Sequence, residues 1–98
     1  MKLIQKLTEM IDEEISDAHK YARCSLEHRE DDAELSKAFA QLSNEELGHA
    51  DRLHAQVVRI INKYKAEHGE PPAHMLFIYN YLHDRAIQKV AEIKAMLA

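Results

Sequence analysis

Almost nothing in this chain stops a helix. Its 98 residues include only two glycines and two prolines, the residues that most often interrupt regular structure. Pro71 and Pro72 are adjacent and follow closely on Gly69, so most of that punctuation falls in one place. Cysteine is nearly absent too. Cys24 stands alone and has no partner for an internal disulfide, which fits a reducing compartment and makes the cytoplasm the expected location. No stretch approaches the roughly 18 consecutive apolar residues of a membrane span. The opening Met1-Lys2-Leu3-Ile4-Gln5-Lys6 turns to charge too soon for a signal-peptide core. A basic surface is also missing. The formal charge is −4 and no lysine or arginine stripe is interleaved with aromatics, so a nucleic-acid partner is not expected.

What remains is material for long helices. Hydrophobic residues make up 46% of the chain and charged residues 31%, a balance that with so few turn residues predicts an all-α fold. The length suits a single domain spanning residues 1–98. A chain this short buries only about two-thirds of the surface its unfolded form exposes, so pairing with a second copy would add useful core.

Hydrophobic spacing divides the chain into three elements. Leu3/Ile4, Leu7, Met10/Ile11, Glu14, Asp17/Ala18, Tyr21 and Cys24/Ser25 recur at helical intervals and predict a first helix over about residues 3–28. The polar run Arg29-Glu30-Asp31-Asp32 breaks the pattern. Asp31 with Glu34 reads as a capping box that opens a second helix over about 32–67. Lys63, Lys65 and His68 suit the negative end of that helix, Gly69 suits its C-cap, and the two prolines bar its continuation. A third helix over about 73–97 follows from the stripe Leu76, Tyr79, Leu82/His83, Ala86, Val90, Ile93 and Leu97, with Pro72 in its first turn. The expectation is a long antiparallel hairpin plus a C-terminal helix.

The second helix carries two apolar rows. Leu35, Phe39, Leu42, Glu46, His49, Leu53, Gln56 and Ile60 form one, expected to face inward; Ser43, Leu47, Ala50, His54, Val57, Ile61 and Tyr64 form the other, expected to lie under the third helix. The first row places a carboxylate and an imidazole one turn apart among apolar neighbours, so a single ion could take an oxygen from Glu46 and a nitrogen from His49. Glu14 is the matching inward carboxylate of the first helix, whereas Glu13 and Glu45 fall on the wet side. Three ligands are too few for two metal ions. A twofold axis would bring four glutamates and two histidines to the centre of a four-helix bundle, the complement of a ferritin-like di-iron site.

The phrase Phe39-Ala-Gln-Leu-Ser-Asn-Glu-Glu-Leu-Gly-His-Ala50 resembles the second helix of a rubrerythrin or ferritin-like half-bundle, and Glu14 with Ala18 and Tyr21 resembles its first. The resemblance covers about residues 3–60. In layout it is nearest to the encapsulated ferritins, short chains with half a site each and a third helix. A rubrerythrin carries both halves and a rubredoxin-type cysteine site in one chain, and here there is one half and one cysteine. The resemblance implies Glu14, Glu46 and His49 as iron ligands, two iron ions per homodimer with manganese as the alternative, and ferroxidase or oxygen/peroxide chemistry. Glu46 is then the expected bridge, Glu14 the terminal carboxylate and His49 the nitrogen ligand. Higher multiples of the dimer are compatible with this reading. An encapsulin-type shell is a further partner of such proteins, although the third helix runs nearly to Ala98 and no targeting tail is seen. The alternative from another class is a helical dimerisation or adaptor module without catalysis, in which buried polar residues fix register.

Other polar residues receive ordinary readings. Asp17 falls at the water boundary and Tyr21 reads as a core tyrosine. His54 and His83 read as packing between the second and third helices, and His19, His28, His68 and His74 as surface. Cys24 reads as a small buried hydrophobe.

Overall fold

The computed structural model describes residues 2–98, with the side chains of Met75 and Ile78 outside that description. Three helices account for nearly all of it: α1 (Lys2–Glu27), α2 (Ala33–His68) and α3 (Ala73–Leu97). Their bounds fall within two residues of the expected ones. The α1–α2 turn is closed by Asp32, whose side chain accepts the Leu35 amide at 3.1 Å, so the cap sits one residue later than the Asp31 capping box. Asp31 instead lies 3.2 Å from His28 Nδ1. Gly69 ends α2 at φ 80°, where a side chain would be strained, and its amide donates to the Lys65 carbonyl at 2.9 Å. Pro72 occupies the N-cap of α3 rather than its first turn.

Small residues decide how the hairpin closes. The buried positions of α2 are Ser36, Ser43, Ala50, Val57 and Ile61, and those of α1 are Ile4, Thr8, Ile11, Ile15, Ala18, Ala22 and Ser25. Ser25 and Ser36 donate to each other's backbone carbonyls at 2.8 and 2.7 Å, and Ser43 donates to the Ala18 carbonyl at 2.7 Å. Such contacts fix the register of one helix on the other, since every buried hydroxyl must meet an acceptor.

This reverses the expected roles of the two α2 rows. The row containing Ser43, Ala50, Val57 and Ile61 faces α1 directly. The row with Phe39, Glu46 and Leu53 is only half-buried, and Leu35 (38%), Leu42 (39%), His49 and Gln56 are exposed. Serine and alanine let two backbones approach closely, whereas a row of leucine, phenylalanine and glutamate holds them apart, so the small row takes the inside. The bulky row lies on an open front face, beside Leu7, Glu14 and Tyr21 of α1.

The third helix also departs from expectation, because it packs mainly on α1 and meets α2 only lightly. It runs in the same direction as α1. Tyr79, His83 and Ala86 share a cavity with Thr8, Ile11 and Asp12, Glu92 lies 3.4 Å from His19, and Arg29 donates to the Met96 carbonyl at 2.8 Å. The stripe from Leu76 to Leu97 packs inward as expected, with Ile93 fully buried. At 100° per residue, Asp12 and His19 lie on the flank of α1 away from Glu14. Helix α3 therefore covers the back of the hairpin and leaves the front face open. No helix is long and apolar enough to cross a membrane among the described residues.

Candidate metal centre

Glu14 sits at the middle of α1, on the edge where the buried stripe gives way to the front face. Glu46 and His49 lie one turn apart near the middle of α2. The Ser43–Ala18 contact sets these levels against each other: Glu46 is one turn beyond Ser43, and Glu14 is one turn before Ala18. Antiparallel helices then carry Glu14 to the level of Glu46 and His49.

The three side chains converge. His49 Nδ1 is 3.4 Å from Glu14 Oε2 and 3.6 Å from Glu46 Oε2, and one donor atom from each residue lies within 4.8 Å of the others. Two ligands about 2.1 Å from one ion and roughly 90–110° apart stand about 3.0–3.4 Å from each other. The donors are thus near ligand spacing before any ion is added. Glu13 and Glu45 are exposed and take no part.

Glu46 feels its neighbour. Its carboxyl is held above the ordinary value of 4.5, first because it shares a hydrogen bond with Glu14, then through burial and the Glu14 charge, while His49 opposes the rise. Two carboxylates this close ionise together only with difficulty, and either a proton or a cation between them relieves the repulsion. The set is oxygen-rich with one nitrogen, which suits iron or manganese better than zinc.

One chain does not enclose the set. The Glu14, Glu46 and His49 side chains are 28%, 20% and 48% exposed, so the expected dry surroundings are missing on the front side. That same side presents Leu3, Met10, Leu35 and Leu42 to solvent. Apolar side chains above and below a half-set of ligands make a face suited to being covered.

The remaining residues separate clearly. Tyr21 stacks on Phe39 with ring centroids 6.3 Å apart, and Phe39 also meets His28 at 6.2 Å. His28 is consequently half-buried rather than a surface residue, as is His19 beside Glu92, while His68 and His74 are exposed. Asp17 is exposed and Cys24 is half-buried. His54 and His83 do pack between α2 and α3, stacked at 5.0 Å. Tyr79, given no individual role by the sequence reading, lies 3.1 Å from His54 Nε2. Its place on the inner stripe of the third helix was the available signal.

No family model, curated protein or solved structure matches the chain.

Proposed function

We propose that the chain is a ferritin-like di-iron carboxylate protein whose metal site is completed by a second copy, and that it oxidises ferrous iron with oxygen or peroxide. The carrying observation is the convergence of Glu14, Glu46 and His49 on an open, apolar-rimmed face. Two hairpins joined front to front would form a four-helix bundle with four glutamates and two histidines at its centre. The back-face position of α3 supports this, because it does not obstruct such pairing.

Glu46, the more buried carboxylate, is suited to bridge two ions, with Glu14 as a terminal oxygen ligand and His49 as a neutral nitrogen ligand. Leu42 and Leu53, one turn on either side of the Glu46–His49 pair, would exclude water once covered. When bound, paired iron supplies electrons to the oxidant. The chain's own contribution is to hold the carboxylates close enough that their charge favours a cation, and to keep the imidazole facing them.

An adaptor that pairs through the same face is the second reading, favoured by one observation: Glu46 lies against Glu14 with its carboxyl held above the ordinary value, and protonation is a way to relieve such crowding without metal. Aerobic ferrous loading separates the two. The di-iron reading requires an oxidised-iron absorbance that is lost in Glu46→Leu; an adaptor gives none in either protein.

A further inference from the structure

The open front face carries a symmetry of its own. The buried hydroxyl contacts put Ser25 level with Ser36 and Ser43 level with Ala18. Counting along both helices from there, Glu14 falls level with the Glu46–His49 pair and Lys2 with Arg59, while the turn after α1 forms the opposite end. Taken from the midpoint between Glu46 and His49, the front row of α2 reads much alike in both directions. Leu42 and Leu53 lie equally far from that midpoint, as do Leu35 and Ile60, and Phe39 against Gln56 is the unlike pair. A row of this kind is matched by a second copy of itself running the other way. The two ends of the hairpin also differ in charge. Around the turn, residues 27–34 hold Glu27, Glu30, Asp31, Asp32 and Glu34 against Arg29. At the far end, residues 2–6 and 59–65 hold Lys2, Lys6, Arg59, Lys63 and Lys65 and no carboxylate.

Two twofold arrangements would merge the half-sets of ligands: hairpin turns at the same end of the bundle, or at opposite ends. We propose that the two copies pair front to front with their turns at opposite ends, each α2 lying antiparallel along the partner's α2, an orientation that rests on the pairing proposed above. Leu42 then packs on the partner's Leu53, Leu35 on the partner's Ile60, and Glu46 stands beside the partner's His49. Leu35 and Leu42, 38% and 39% exposed in one chain, gain the apolar cover they lack. With turns at the same end, α2 would instead lie along the partner's α1, and the five carboxylates of one turn would stand beside the five of the other. With turns at opposite ends, each acidic turn lies about 22–25 Å from the axis at 1.5 Å per residue. That distance brings it level with the partner's Lys63, short of Glu67. Unlike charges then meet at both ends. Being at the rim, they choose the orientation, while the apolar row supplies the affinity.

The test places one nitroxide per chain on the exposed turn, at Glu30→Cys in a Cys24→Ala chain. Pulsed electron resonance reads the distance between labels, and light scattering reads the mass of the same sample. The expected result is a paired particle with labels about 45–50 Å apart, whereas turns at the same end would bring them within about 25 Å. Lys63→Glu should weaken pairing about threefold and Asp31→Lys in the same chain should restore it. With turns at the same end, Lys63→Glu would leave pairing unchanged or tighten it. Leu42→Glu, a change at an exposed position, should leave folded single chains. A short label distance in a particle that Leu42→Glu disrupts would overturn the orientation and leave front-to-front pairing standing. A pair that survives Leu42→Glu, or a single chain at every concentration with and without divalent metal, would defeat the pairing itself and the orientation with it.

Discussion

His49 Nδ1 of α2 approaches Glu14 Oε2 of α1 to 3.4 Å, closer than the 3.6 Å to Glu46 Oε2 on its own helix. The inter-helix member of the set thus lies as near as the local one. That approach depends on the register of the hairpin, which the buried serines set.

Ser43 is the residue most directly responsible for that register. It is fully buried and donates to the Ala18 carbonyl. Ser43→Ala removes one buried hydrogen bond and should cost about 1 kcal/mol in chemical denaturation. Ser43→Leu forces extra volume between close backbones and should cost about 1–3 kcal/mol. It should also weaken metal binding although it touches no ligand. Metal affinity unchanged in a folded Ser43→Leu protein would contradict this coupling.

The two neighbouring glutamates of α2 should behave oppositely. Glu46→Leu removes a crowded carboxylate from the half-buried edge, so it should abolish metal binding while leaving the metal-free protein as stable or more stable. Glu45 is exposed and interacts with Gln41 at 3.3 Å. Glu45→Leu should leave metal binding largely intact. Parallel thermal melts and metal titrations decide the matter, and a clear loss of metal-free stability in Glu46→Leu would mark Glu46 as a structural partner only.

The raised Glu46 carboxyl sets a sign for pH dependence without metal. A carboxyl whose value is higher in the folded state binds its proton more tightly there, so its stabilising contribution is present at low pH. It is lost as pH rises from the ordinary 4.5 through the folded value. Glu46→Gln, which cannot ionise, should therefore gain on the wild type as pH rises through this range and keep the advantage at neutral pH. Melting both proteins from pH 4 to pH 7.5 (a span of about 3.5 units around the usual glutamate value) checks this. A difference that stays constant or shrinks with rising pH would count against a shared proton.

The helix caps give an independent check on the fold. Asp32→Ala removes the acceptor for the Leu35 amide and should cost about 1 kcal/mol. Asp31→Ala disturbs only an exposed contact with His28 and should lie within about 0.5 kcal/mol of the wild type. Equal effects would place the cap elsewhere.

Much of this architecture was legible in the residue pattern, for identifiable reasons. Three helices follow from period and punctuation: Gly69 and Pro71-Pro72 stop α2 where expected. Glu46 and His49 share a face because three residues make nearly one turn, and Glu13 and Glu45 fall outside for the same reason. Which α2 row faces α1 was not legible from apolarity, since Leu35, Phe39 and Leu42 outweigh Ser36, Ser43 and Ala50 on any hydrophobic scale. Close packing favoured the small residues, and their hydroxyls found carbonyls across the interface. The approach of Tyr79 to His54 was hidden for a related reason, because it depends on the register of α3 against the hairpin rather than on the period of either helix.

Bound metal should reverse the penalty of the crowded carboxylates. An ion that binds the assembled site and hardly the unfolded chain adds about 4 kcal/mol at a thousand times its dissociation constant. Iron or manganese should raise the melting temperature of the wild type and leave Glu46→Leu unmoved. An equal rise in both proteins would point to binding elsewhere.

Completion of the site by a second copy is tested most directly by measuring mass and iron content on the same eluting particle after anaerobic ferrous loading, with light scattering and elemental analysis on one column. The account predicts a particle whose mass is an even multiple of the 11.3 kDa chain, with one iron per chain. A single 11.3 kDa chain carrying tightly bound iron, or a dimer that elutes without iron, would contradict it.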